Sequence, residues 1–248
     1  MKSHYSRFSI LSGLGICVSA LALLSVYACG GKRTGSVAQG GDTVRMEYAK
    51  HITIVKHDGY TTAELSNPWR KDAVLHRYVL VSRKDSARMA SKVSAMDGTV
   101  VYTPVKRAVL FSAPHCYLMG ELGAADAVSG VCDMNYINLP NLHKAVAAGR
   151  IADCGNGMSP SVEHIVSVSS DALFVTPFEG ANYGQLANIG VPLVECADYM
   201  ETSALGRAEW MKFYGMLVGR EHEADSLFAV VKRNYADYKD RAMKSALR

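Results

Sequence analysis

No aspartate or glutamate occurs before Asp42, and no familiar catalytic signature occurs after it. The chain lacks an HExxH zinc helix, a GxSxG elbow, a GxxxxGK[ST] phosphate loop and a GxGxxG turn. Its eight histidines are scattered, with no pair at ligand spacing beside an acid on one face. No CxxC pair occurs among the six cysteines, which excludes zinc knuckles and thioredoxin-like motifs. Neither sign of charge dominates, since 27 Lys and Arg oppose 23 Asp and Glu. Without a basic run or stripe there is no nucleic-acid footprint. These absences leave an enzyme only where distant loops assemble its site.

What is present starts at the N-terminus. Lys2 and Arg7 are followed by an apolar or small-residue stretch from Phe8 to Val26, then by Ala28-Cys29-Gly30-Gly31. A basic start, an apolar stretch and a small-residue cleavage site make an export signal. A cysteine straight after that stretch is the lipoprotein arrangement. Its thiol takes a diacylglyceryl group, cleavage frees its amine, and a further acyl chain is added. Several chains together hold a protein stably where one does not. Val26 stands where leucine is usual and Tyr27 is bulky for its place, so an uncleaved N-terminal anchor is the alternative. Both readings export the protein and place it on a membrane. Residues 1–28 are thus read as signal and Cys29 as the lipidation site. Residues 29–45, rich in Gly, Ser and Thr, are read as a flexible tether.

Cys17 leaves with the signal and Cys29 with the lipid, so Cys116, Cys132, Cys154 and Cys196 remain. In an exported protein four cysteines can form two disulfides whose pairing the sequence does not give. The other reading, which we favour, makes them small buried apolar residues, because a chain of this length needs no staples.

The mature chain divides by rhythm. Residues 46–104 read as a small antiparallel β element. His51–Lys56 and Tyr60–Leu65 flank a His57-Asp58-Gly59 hairpin signal, Asn67-Pro68-Trp69 breaks the second run, and Arg77–Ser82 is a third strand. Residues 105–218 alternate strand and helix. Strands are expected at Arg107–Phe111, Ala127–Val131, Ala172–Thr176 and Val191–Glu195. Helices are expected at Ser112–Leu122, Leu142–Ala148, from Ser159-Pro160 onward, at Tyr183–Ile189 and at Glu209–Val218. Such alternation predicts an α/β fold, a parallel sheet with helices on both faces. Ligands of such sheets bind beyond the carboxyl ends of the strands. Ser112–His115, Cys132–Asn138, Thr176–Gly180 and Ala197–Glu201 should therefore share one rim. From residue 219 a long helix runs to Arg248 with no Gly, Asn or Pro to close it.

Several segments between Arg107 and Val194 together resemble the N-terminal lobe of ABC importer binding proteins for ferric siderophores, haem and cobalamin. They are Arg107-Ala-Val-Leu-Phe-Ser-Ala, Glu121-Leu-Gly-Ala-Ala-Asp-Ala-Val-Ser-Gly-Val, Gly155 followed by Ser161-Val-Glu-His-Ile-Val, Ser170-Asp-Ala-Leu-Phe-Val, and Leu186 through Gly190-Val-Pro-Leu-Val. Asp198-Tyr-Met-Glu201, Leu205-Gly-Arg-Ala-Glu-Trp210 and the Asn67-Pro68-Trp69 region resemble a Bacteroidetes-type branch of that family. Ser170 departs from the pattern, where proline is common.

The resemblance implies a solute-binding protein rather than an enzyme, with no cofactor. Its partners would be a small-molecule ligand, an ABC permease with its ATPase, and a membrane reached through the lipid. It also implies that residues 219–248 begin an inter-lobe helix and that a second lobe is absent. Glu163 matches the family glutamate that docks onto permease arginines; a solvated charge near a helix start is the other reading. His115 stands at a corner that lines the family's cleft, although a lone histidine is more often structural. Tyr136 and Asn138 offer aromatic and amide groups to a flat ligand, or merely pack the surface. Phe178 and Glu179 fall on the same rim. Arg207 reads as an internal ion pair with Glu201 or Glu209, and Trp210 as core. The alternative function is a lipid-anchored periplasmic hydrolase or metal-dependent enzyme.

Overall fold

Alternating side chains build the first sheet. In the computed structural model, which describes residues 40–246, β2 (Ile52–His57) and β3 (Tyr60–Ser66) pair antiparallel around Asp58-Gly59. Gly59 sits at φ +82°, the left-handed conformation that favours glycine. β1 (Asp42–Val44) pairs with β2, and β4 (Val74–Ser82) with β3, both antiparallel. This is the expected antiparallel element. The sequence reading placed neither β1 nor a fifth strand that joins the sheet. α1 (Ser86–Val93) crosses over from β4 to β5 (Thr99–Thr103), which pairs with β4 in parallel. Met89 and Val93 of α1 cover one face, against Tyr60, Val79 and Val81. The other face, with Ile54, Leu65, Tyr78 and Val101, faces the main core.

The second sheet is parallel throughout. It comprises β6 (Ala108–Leu110), β7 (Val128–Val131), β8 (Ala152–Asp153), β11 (Ala172–Val175) and β12 (Leu193–Glu195), in the order β12-β11-β6-β7-β8. Both faces are buried, which explains why the strands read as continuous apolar runs. Ala108, Leu110, Ala172 and Phe174 face the main core, whereas Val109, Phe111, Leu173 and Val175 face a second cluster. α2 (Ala113–Glu121) and α3 (Pro140–Ala147) set Met119, Leu142 and Val146 on the first face. α4 (Val162–Ser167) and a 3-10 turn at Gly184–Asn188 set Ile165 and Leu186 on the second.

α5 (Ala204–Glu209), α6 (Met211–Val218) and α7 (Glu221–Ala246) complete the fold. Trp210, Phe213, Tyr214 and Leu217 of this region are fully buried, so the aromatic spacing marks core. Ala224 and Phe228 bury the start of α7, while Tyr235, Tyr238 and Met243 are exposed.

Four local expectations are corrected. Ser159-Pro160 does not open a helix. These two residues form β10, which pairs with β9 (Gly155–Asn156), and Ser161 caps α4 by accepting the His164 N–H at 3.3 Å. Tyr183–Ile189 is tighter than an α-helix, because Gly184 at φ +55° breaks its start. Glu209–Val218 is interrupted at Trp210, which ends α5 and begins α6. Arg207 does not pair with the Glu201 or Glu209 carboxylate. Those oxygens are taken by backbone N–H groups, and the Arg207 Nε donates to the Glu201 carbonyl at 3.1 Å. The four cysteines 116, 132, 154 and 196 are buried free thiols. The residues read as signal, Cys29 and residues 29–39 of the expected tether lie outside the described residues, whereas residues 42–44 of that tether are strand β1 rather than flexible coil. No helix among the described residues is long and apolar enough to cross a membrane.

Candidate functional site

β6 is the first strand of the parallel sheet, and the chain moves from it to β7 and β8 on one side before returning to β11 on the other. The connections leaving β6 and β11 thus diverge, which opens a crevice at their carboxyl ends. A cleft of about 360 Å³ occupies that position. Phe111 and Ser112 enter it from the end of β6, and Asp133 and Tyr136 from the end of β7. Gly157, Met158 and Pro160 follow β8, while Thr176 and Phe178 follow β11. Asn182, Tyr183 and Leu186 close the far wall.

The mouth is apolar. Tyr136 is 78% exposed, Met158 77% and Phe178 44%, a degree of exposure that suits contact with a ligand. The floor is held by backbone geometry. Asp133 adopts φ +57°, a conformation aspartate tolerates, and its Oδ1 accepts the Gly157 N–H at 3.1 Å. A Cβ on Gly157 would stand 2.8 Å from Asp133 Oδ2 and 3.3 Å from the Phe111 carbonyl oxygen, so the β9–β10 loop lies close against this floor.

Behind the cleft lies a buried polar row. Ser112 occupies the N-cap position of α2 without capping it; its Oγ meets His115 Nδ1 instead. His115 Nε2 stands 3.1 Å from Asp198 Oδ1, which also accepts the Tyr214 hydroxyl at 2.5 Å. Burial pulls the His115 imidazole down, but the Cys196 sulfur and the Asp198 carboxylate outweigh it and hold the pKa up at about 10. In the Ser112–His115 contact, which of the two donates follows the imidazole's tautomer.

A second cleft of about 420 Å³ adjoins the first, and Phe178 lines both. Its outer wall is the turn between β3 and β4, with Trp69 and Arg70. Asn67 Oδ1 shapes that turn by accepting the N–H groups of Trp69 and Arg70, each at 2.9 Å. The inner wall includes Glu179 and Glu195. Glu195 is buried and accepts the Tyr183 hydroxyl on Oε1 at 2.9 Å, linking the two clefts. Burial raises the Glu195 carboxyl, against the pull of that hydrogen bond. His76 Nδ1 stands 3.6 Å from Glu195 Oε2, and burial lowers the imidazole. At that distance a neutral ring makes a polar contact, not an ion pair.

The expected residues separate accordingly. Tyr136 and Phe178 come together at the mouth of the first cleft, and Glu179 lies in the second. His115 is only 5% exposed and reaches the cleft through Ser112. Asn138 lies off the lining, its backbone N–H donating to the Tyr117 hydroxyl at 3.1 Å. Glu163 is exposed in the first turn of α4, which leaves the rim after β8. Sequence reasoning did not single out Ser112, Asp133, Met158, Asn182, Tyr183 or Glu195 as site residues. Ser112, Asp133 and Glu195 share one signal, a polar residue at or just after the end of an apolar strand. Among the described residues no group of three His, Cys, Asp or Glu side chains is placed to hold a metal ion.

No family model matches the chain. It is 24% identical over 216 residues to uncharacterized lipoprotein MJ0878 of Methanocaldococcus jannaschii, covering 80% of this chain and 52% of that protein. Uncharacterized lipoprotein MJ0872 of the same organism is 27% identical over 175 residues, covering 68% and 42%. The chain spans about half the length of the curated relatives it matches. Among solved structures it is similar to the petrobactin-binding protein YclQ of Bacillus subtilis, with TM-score 0.49, 18% identity, and coverage of 58% of this chain and 49% of that one. It is also similar to the periplasmic vitamin B12 binding protein BtuF of Vibrio cholerae, with TM-score 0.43, 13% identity, and coverage of 56% and 51%.

Proposed function

We propose that this chain is the lipid-anchored solute-binding component of an ABC importer, capturing a ferric siderophore, haem or cobalamin outside the cytoplasm and delivering it to a permease. The observation that carries the reading is the cleft at the point where strand order reverses, walled by exposed Tyr136, Met158 and Phe178. The ordered resemblance between Arg107 and Val194 supports it. So do the Ala28-Cys29-Gly30 signal and the lipoprotein names of both relatives. In this reading Glu163 seats the loaded protein on the permease, and the exposed length of α7 is the start of an inter-lobe helix. The Bacteroidetes-type branch is part of the same reading.

A hydrolase reading would draw on the row Ser112, His115, Asp198. Of the three only Ser112 lines the first cleft, while His115 is buried behind it. Capture needs no proton transfer.

The test is a titration of the full lipid-anchored chain in nanodiscs with cyanocobalamin, haemin and ferric siderophores, against empty nanodiscs. Saturation at one ligand per chain without turnover supports capture. Steady conversion of any of them by a fixed amount of protein, or silence across the panel, overturns it.

A further inference from the structure

The two adjoining clefts are unusual in the sign of what lines them. The first carries the Asp133 carboxylate and, among its described lining residues, no Lys, Arg or His. The second carries Glu179 and Glu195 against a single cation, the exposed Arg70. His115, behind the first cleft, is buried and already faces Asp198. What the walls offer instead is aromatic and apolar surface, from Tyr136, Phe178 and Trp69, with the Ser112 hydroxyl as a neutral polar group.

We infer that this site selects an uncharged or cationic ligand, one with flat apolar faces and carbonyl or amide oxygens, and discriminates against polyanions. The inference rests on the solute-capture reading and narrows its substrate class. An anion brought into the cleft gives up water, meets Asp133, and finds no basic side chain among the described lining residues to replace what it lost. A neutral amide or carbonyl oxygen loses far less and meets the Ser112 hydroxyl on the cleft wall. The α2 terminus at Ser112 does favour negative charge. That fixed dipole is a fraction of a charge, and it lies in the same cleft as the full charge of Asp133. A flat uncharged body lying against Phe178 would touch both clefts at once and bring Trp69 within contact. The turn that carries Trp69 belongs to the N-terminal sheet, which thereby becomes a wall of the site rather than an appendage.

The experiment uses three probes of graded charge on the full chain in nanodiscs at fixed ionic strength. They are cyanocobalamin, which is uncharged; haemin, with two carboxylates; and a ferric tris-catecholate trianion. Equilibrium dialysis gives affinity, and fluorescence of half-buried Trp69 reports occupancy of the second cleft. Cyanocobalamin should bind at least tenfold more tightly than the trianion. Asp133→Asn, which keeps the acceptor for the Gly157 N–H, should narrow that gap at least threefold by improving the trianion. Equal or tighter binding of the trianion to the unmodified chain overturns the charge inference while leaving solute capture standing. No saturable binding by any probe overturns both.

Discussion

Glu209 holds Tyr48 across 161 positions of chain, its Oε2 accepting the Tyr48 backbone N–H at 2.7 Å. The same carboxylate accepts the N–H groups of Glu47 and Ala49, both at 2.9 Å, and the Lys212 ammonium, also at 2.9 Å. Glu201 continues the pattern. Its Oε1 takes the N–H groups of Lys50 at 2.9 Å and His51 at 2.8 Å, and the Trp210 indole at 3.0 Å. Two buried acids thus clamp the strand-free segment before β2 onto α5 and the turn that precedes it.

Glu209→Ala should cost about 3 kcal/mol or more, since each buried N–H left without an acceptor costs roughly 1–3 kcal/mol. Urea unfolding measures it, and a loss below about 1 kcal/mol would contradict the clamp.

The same clamp sets an acid limit. Burial raises the Glu209 carboxyl, but the Ala49, Glu47 and Tyr48 N–H groups together outweigh it and hold the pKa below the usual value. Its stabilisation is therefore fully present above the ordinary carboxylate range, near 4.5, and is lost as pH falls through the lower folded value. Unfolding free energy should decline below about pH 4.5 in the wild type, and Glu209→Gln should flatten that decline.

His115 sets a limit of opposite sign. With its folded pKa raised to about 10 from 6.5, its stabilisation is present below pH 6.5 and is lost as pH rises through 10. Stability should fall across that window, and the slope should shrink in His115→Gln. An unchanged slope would remove the buried cation from the account.

Tyr78 Oη donates to the Leu193 carbonyl at 3.1 Å and accepts the Glu195 N–H at 2.8 Å, joining the two sheets. Tyr78→Phe should cost about 1–3 kcal/mol through the orphaned Glu195 N–H. It should also change ligand binding, because Glu195 lies in the second cleft. A stability change without any change in Kd would separate the sheet junction from the site.

Tyr136→Ala and Phe178→Ala should each weaken ligand binding by about threefold to tenfold, from roughly 0.5–1.5 kcal/mol of aromatic contact. Both are exposed, so stability should stay within about 0.5 kcal/mol. Glu163→Arg should leave ligand affinity intact and abolish uptake in cells that depend on this protein. Unimpaired uptake would reduce Glu163 to a solvated helix charge.

Much of the fold was legible because it rests on local rules. Apolar runs at Arg107–Phe111 and Ala172–Thr176 read as doubly buried strands, and Gly59 marked the hairpin. Helix starts were less legible. Ser159-Pro160 carries the signature of a helix opening, yet the Gly155–Gly157 turn folds it back into a two-residue strand. Arg207 looked like a partner for Glu201 because sequence shows charges but not the distant N–H groups that had already claimed the carboxylate.

The sequence by itself determined the two-part rhythm of sheet types and the rim on which the candidate site lies. Each depends on composition or on a periodicity within a few residues. Only the tertiary structure decided which rim residues meet. Tyr136 joins Phe178 while Asn138 turns away, and His115 withdraws behind Ser112. Trp69, from the other sheet, closes the groove over Glu195. Those outcomes depend on strand order and on competition for buried hydrogen-bond partners, which are long-range properties that no local pattern encodes.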